Sequence, residues 1–408
     1  FSSMTRLPVT MLPSMLSRSP ASPPSMLPTT PLHCDVFCNV IDNHGDIGVC
    51  WRLARQLVAE HGVGVRLWVD EMRAFAPICP ELNPAVEAQT VSGVEIRRWA
   101  GDFAEVSPGD LVIEAFACHL PEAFVEAMAR REPRPVWLNL DYLSAEDWVS
   151  GCHALPSPHP RLPITKYFFF PGFNQATGGL LRERGLAGRR EAFLASAEER
   201  IAFWHRLGIE PPAEDTLKIS LFAYENPAIP RLLSAFVEGE RRACCFVPLT
   251  RSRGDIERFL GQAVRPGDVF RRGQLELHVL SFVSQAEYDR LLWSCDLNFV
   301  RGEDSFVRAQ WAARPIVWQI YPQGDDAHRV KLEAFVDIHC AGLPLDLANL
   351  LRRMFLAWNG FADFSTALVS EWLARLPDYR QHAIDWEKNL SKQQDLCSSL
   401  VRFCKSKL

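Results

Sequence analysis

The run Arg301-Gly302-Glu303-Asp304-Ser305-Phe306-Val307-Arg308-Ala309-Gln310 crowds two carboxylates, two guanidiniums and a hydroxyl into one short stretch. Upstream, Cys295 to Val300 reads as a short buried strand; downstream, the run to Ala313 reads as a helix that stops before Pro315. A strand end, a glycine turn and a helix start therefore coincide. Free N–H groups at a helix start favour phosphate, and Arg301 adds a charge-assisted contact. The same residue types also suit an ordinary helix start, with Asp304 or Ser305 as N-cap and Glu303 in solvent.

A second chemically loaded segment, Asn39 to Gly48, closes the first strand. It lacks the G-x-G-x-x-G spacing of a dinucleotide site and the G-K-[ST] of a P-loop. Instead, Asp42 and Asp46 flank a turn in which Gly45 and Gly48 let the backbone approach a ligand closely. Two neighbouring acids can divide roles, one accepting a proton while the other orients a cation. An Asx turn at Asp42 and a helix cap at Asp46 would use the same side chains. Other catalytic signatures are missing: no G-x-S-x-G, no H-E-x-x-H, no Cys/His zinc spacing and no D-x-D pair occurs. A diphosphate bound here would be neutralised by Arg301 and the backbone amides of Glu303 to Phe306, without metal.

The elements that must position these loops follow an α/β rhythm. The 408 residues suggest two domains on the usual size range. Cys34 to Ile41 reads as a strand, Ile47 to Glu60 as a helix and Val63 to Val69 as the next strand. Further strands are predicted at 110–116, 135–140 and 166–170, and a second series at 217–224, 243–249, 275–282, 297–300 and 316–320. Two such series predict two doubly wound sheets with ligands beyond the carboxyl ends of the strands. Leu181 to Leu207 reads as a helical connector and Tyr379 to Leu408 as terminal helices. Residues 1–32, rich in Pro, Ser, Thr and Met, are expected to be a disordered extension.

Net charge is −5 with both signs mixed along the chain, so no basic stripe points to direct nucleic-acid binding. None of the 12 cysteines forms a C-x-x-C pair, and Cys34, Cys38, Cys118, Cys244, Cys245 and Cys295 lie in apolar, strand-like runs. They read as buried thiols of a reducing, cytoplasmic compartment. No apolar run reaches the roughly 20 residues of a membrane span.

Several longer segments together carry a family resemblance: Val40 to Gly48 followed by Trp51 to Arg55, Glu114 to Cys118, Leu138 to Glu146, Pro171 to Phe173, Gly178 to Leu180, and Arg301 to Gln310. On these the chain resembles the protein-arginine rhamnosyltransferases that modify elongation factor P in bacteria, the EarP family, from about Cys34 to the C-terminal region. It departs from them in residues 1–32 and at His44, where relatives often carry an aromatic residue.

The resemblance implies a GT-B glycosyltransferase, two Rossmann-like doubly wound domains facing across a cleft. Residues 33–182 would form the acceptor-side domain and 183–378 the linker and nucleotide-sugar domain, with helices of 379–408 packing back on the first. It implies transfer of L-rhamnose from dTDP-β-L-rhamnose to an arginine of elongation factor P, with inversion and with neither cofactor nor metal. By the same resemblance Asp46 is the proton acceptor, Asp42 its partner on the guanidinium and Glu303 a further catalytic residue. Asn43, His44 and Gly45 would line the sugar. Phe282, Val283, Ser284 and Gln285 would hold thymine with Tyr224 nearby, and Arg301, Gly302, Asp304 and Ser305 would cradle the diphosphate.

A carboxylate near pKa 4 cannot deprotonate a guanidinium of pKa about 12.5 to 13.8 in advance, so proton transfer must accompany attack. Alternatives on the same fold are a different nucleotide sugar or a small-molecule acceptor. A nicotinamide oxidoreductase lacks its fingerprint here, and a non-catalytic module docked on the factor would leave its mass unchanged.

Overall fold

The central strands of this chain are almost continuously apolar, as strands covered by helices on both faces must be. The computed structural model describes residues 31–42, 44–100 and 106–408, without the side chain of Asp325. Asn43 and most of the expected N-terminal extension lie outside the described residues. The first sheet contains β1 (His33–Cys38), β2 (Gly64–Val69), β3 (Ala88–Val91), β4 (Val94–Arg98), β5 (Leu111–Ala115), β6 (Val136–Leu140), β7 (Pro156–Pro158) and β8 (Thr165–Phe169). The second contains β9 (Leu217–Leu221), β10 (Ala243–Pro248), β11 (Val269–Arg272), β12 (Leu275–Leu280), β13 (Leu297–Arg301) and β14 (Ile316–Gln319).

The orders are β3-β4-β2-β1-β5-β6-β8-β7 and β11-β12-β10-β9-β13-β14. Without the antiparallel strands β3, β7 and β11, both sheets are parallel and doubly wound. The winding reverses between β1 and β5 in one sheet and between β9 and β13 in the other. Such a reversal splays the flanking connections to opposite faces and opens a crevice at the carboxyl ends of the strands. The Asp42 loop follows β1 and the Arg301 turn ends β13, so topology alone puts both at reversal points.

Helix Gly45–His61 buries Ile47, Cys50, Leu53, Ala54 and Leu57 against the first sheet and ends at Gly62, whose φ of 62° is the left-handed cap glycine tolerates best. The predicted Leu181–Leu207 connector is two helices, Leu186–Ala195 and Ala197–Arg206. Ser196 breaks it, its hydroxyl accepting from the Glu199 amide as an N-cap. Helix Leu376–Leu390 lies on helix Asp304–Trp311, and helix Leu396–Lys407 on helix Gly45–His61. The last helix is anchored by the Leu396 amide donating to the Leu180 carbonyl at 3.0 Å. Leu32–Leu408 thus forms one compact unit.

All 12 cysteines are unpaired. Cys118, expected to be a buried thiol in an apolar, strand-like run, is half-buried in the turn after β5, where its thiol donates to the Phe37 carbonyl. No helix of the described residues is long and apolar enough to cross a membrane.

Candidate active site

Asp46 occupies the first turn of helix Gly45–His61, yet it does not cap that helix. Its Oδ2 turns back to accept from the amides of Ile41 and Asp42, each at 2.9 Å, and Oδ1 accepts from the Tyr142 hydroxyl at 3.1 Å. Asp42 faces the second sheet: its carboxylate accepts from the Tyr224 hydroxyl and lies 3.5 Å from Arg301 Nη1. A Cβ on Gly302, where φ is 60°, would stand 2.8 Å from that hydroxyl and 3.2 Å from Asp42 Oδ2. Glycine is what lets the two loops approach so closely.

Arg301, at the end of β13, holds its guanidinium between the rings of Phe222 and Tyr224, 4.4 and 4.3 Å from their centroids. Its buried Nε has no hydrogen-bond partner, and the side chain lines a cavity of about 70 Å³ with His44, Phe222, Phe282 and Tyr288. A buried charged donor left open in this way is suited to an anion. Ser305 offers less than its position implies, because its hydroxyl donates to the Arg301 carbonyl and accepts from the Arg301 amide. Gln285 donates to the Gly48 carbonyl at 3.0 Å and to Asp304 at 3.1 Å, and accepts from Arg55 at 2.7 Å. Val283 lines the same cavity, whereas Ser284 caps helix Gln285–Ser294 and Tyr224 lies behind the cavity wall holding Asp42.

A larger cavity of about 250 Å³ lies on the other side of the loops, lined by Asp46, Phe116, Tyr142, Trp318, Tyr321 and Lys331. The two cavities share Asp42, Gly45, Gly302 and Glu303 as a common wall. Glu303, on that wall, accepts from the Leu143 amide at 2.9 Å. Burial, with Asp46 and Asp141 close by, pushes the Glu303 carboxyl up to about 8 despite the Leu143 amide and Lys331. Burial also raises Asp46, although its two amide donors and Tyr142 pull the other way. His44 is lowered by burial and donates from Nδ1 to the Ala74 carbonyl, so its Nε2 is an acceptor at neutral pH.

Backbone strain is concentrated beside this wall. Phe116, Ala117 and His119 have φ of 55°, 55° and 54°. Such conformations persist only where surroundings hold them. Here Asn139 accepts from the Ala117 amide at 3.1 Å and Glu114 from the His119 amide at 3.3 Å, two buried polar side chains near the ends of β6 and β5, Glu114 being paired also with Lys166 and the Trp137 indole.

Sequence reasoning missed the charges that join the lobes. Asp289 receives Arg52 at 3.0 and 3.1 Å from the first lobe and Arg308 at 2.7 and 3.0 Å from the second. Arg52 Nε also reaches Asp304 at 2.8 Å, and Arg308 reaches Glu183 at 2.6 Å. Burial raises the Glu183 carboxyl, but Arg308 and Arg52 outweigh it and hold it down at about 2. Phe116, Tyr142, Trp318 and Lys331 were likewise unassigned by the sequence. A His/Cys/Glu group with ligand spacing, Cys244, Glu276 and His278, lies on β10 and β12 and lines neither cavity.

Two doubly wound lobes with a cavity on either side of a shared wall of two acids and two glycines define a GT-B glycosyltransferase. A solved structure describing EarP-mediated arginine glycosylation of translation elongation factor EF-P superposes with a TM-score of 0.66 at 37% identity, over 92% of this chain and 100% of that one. The glycotransferase of kitacinnamycin, at TM-score 0.50 and 11% identity, shares the fold. Residues 34–405 match the family model of elongation factor P rhamnosyltransferase EarP, and the chain belongs to that family. It is 51% identical over 371 residues to the protein-arginine rhamnosyltransferase of Pseudomonas aeruginosa, covering 90% of this chain and 98% of that protein. The enzyme of the same name from Pseudomonas putida is 50% identical over 378 residues, covering 92% and 99%.

Proposed function

We propose that this protein transfers L-rhamnose from dTDP-β-L-rhamnose to an arginine side chain of elongation factor P, with inversion at the anomeric carbon. The observation that carries this reading is the wall common to both cavities, which would bring a sugar donor and a guanidinium into contact at Asp42, Gly45, Gly302 and Glu303. Thymine would lie beside Phe282 and His44, with the pyrophosphate against Arg301 and the amides that open helix Asp304–Trp311. The acceptor guanidinium would enter between Phe116, Tyr142 and Trp318, planar groups suited to a flat cation.

An acceptor nitrogen forms the C–N bond to the anomeric carbon from the face opposite the leaving group. The C–O bond to the pyrophosphate breaks and dTDP leaves with the electron pair. A proton from the attacking nitrogen passes to Asp46 as the bond forms, so a free neutral arginine is never required. Arg301 and the helix amides stabilise the negative charge growing on dTDP in place of a metal.

Intact-mass measurement of elongation factor P after mixing with this protein and dTDP-rhamnose should show a gain of one deoxyhexose, undiminished by EDTA. No gain with dTDP-rhamnose but a gain with another nucleotide sugar would reassign the donor. Arg301→Ala should weaken dTDP binding roughly 10- to 100-fold by calorimetry, the scale of a lost charge-assisted contact; unchanged affinity would remove Arg301 from the donor site.

A further inference from the structure

The segment Leu138 to Glu146 supplies neither nucleophile nor phosphate contact, yet two of its consecutive residues each hold one of the three carboxyls that line the acceptor cavity. Tyr142 donates its hydroxyl to Asp46 at 3.1 Å, and the next amide, that of Leu143, donates to Glu303 at 2.9 Å across the lobes. We propose that Tyr142 is the positioning residue for Asp46, selecting the one lone pair of that carboxylate offered to the acceptor nitrogen. The proposal rests on the rhamnosyl transfer described above.

A carboxylate has about four acceptor sites. The amides of Ile41 and Asp42 occupy Oδ2, and Tyr142 occupies one site of Oδ1. The remaining site of Oδ1 is the one available to a guanidinium in the cavity that Asp46 lines. The phenol is itself fixed. Its ring stacks on Phe116 at 4.4 Å with an interplanar angle of 16°, and Phe116 is held in its unusual conformation by the Asn139 and Glu114 contacts of the following turn. Strain stored after β5 therefore ends in the aim of a hydroxyl. Asp42, Glu303, Asp141 and Lys331 are the other charged or titratable groups facing this pair.

Tyr142→Phe keeps the ring stack and removes the donor. Transfer to elongation factor P is expected to fall about ten-fold in kcat, the scale of one hydrogen bond, with KM for the factor and dTDP affinity unchanged. The lost donor favoured the charged form of Asp46, so the acid limb of kcat/KM should move to higher pH. Tyr142→fluorotyrosine, a stronger donor of nearly the same volume, should move it to lower pH. An unmoved limb in both variants, with or without a fall in kcat, overturns the proposal. Wild-type protein run alongside separates the two readings, because its failure to modify the factor would refute the transfer itself rather than the role of Tyr142.

Discussion

Asp46→Asn is expected to slow single-turnover transfer roughly 1,000-fold, within the usual range for a lost general base, while dTDP binds as tightly as to the unaltered protein. The asparagine oxygen can still accept from the Ile41 and Asp42 amides, so the loop keeps its path and only the proton acceptor is lost. Asp46, rather than Glu303, is assigned as base because their environments separate them. With burial pushing its carboxyl up to about 8, Glu303 favours its protonated form at neutral pH, which suits a proton donor better than a base. Asp46 is raised as well, but three donors favour its charged form. Glu303→Gln, which mimics the neutral acid, should therefore retain far more activity, and it should abolish any loss of transfer as pH rises through about 8. Rapid-quench measurement with labelled donor distinguishes the cases; a near-normal rate for Asp46→Asn would move the base elsewhere.

Much of this site was legible in the sequence because it follows from topology. Once two strand-helix series are recognised, ligands are expected beyond the carboxyl ends of the strands, and the Asp42–Asp46 loop after β1 and the Arg301 turn at the end of β13 are both found that way. What stayed hidden depends on neighbours that no local pattern reveals. Strands β3 (AQTV) and β4 (VEIRR) are short and partly exposed, so neither shows the apolar run that marks the central strands. Tyr142, Trp318 and Lys331 reach one cavity from elements scattered over nearly two hundred residues, and each alone resembles a core aromatic or a surface lysine. The spacing also gave no hint that Asp42 faces Tyr224 and Arg301 across the lobes rather than Asp46 beside it.

The unread Asp289 network leads to the second large effect. Asp289→Ala should destabilise the protein by about 3–5 kcal/mol, since deleting the shared member of a buried ion group leaves the two arginines only partly compensated. Arg52 and Arg308 are each about 3% exposed, and each gives Asp289 two hydrogen bonds. Glu183 and Asp304 would remain as partners, but one from each arginine cannot replace a shared bidentate acceptor. The midpoint of thermal unfolding should fall by roughly 5 °C, and a fall of under about 1 °C would show the network to be energetically idle. Exchanging Arg308 and Asp289 together for Met and Leu should recover much of that loss, because the cost lies in isolating charge rather than in forgoing the pair. Donor affinity should not recover with stability. Arg52 holds Asp304, and Asp304 holds Gln285, so the charges that join the lobes also set the wall of the smaller cavity. A double variant that regained both stability and wild-type dTDP affinity would show that the network only joins the lobes; stability without affinity would show that it also shapes the donor site.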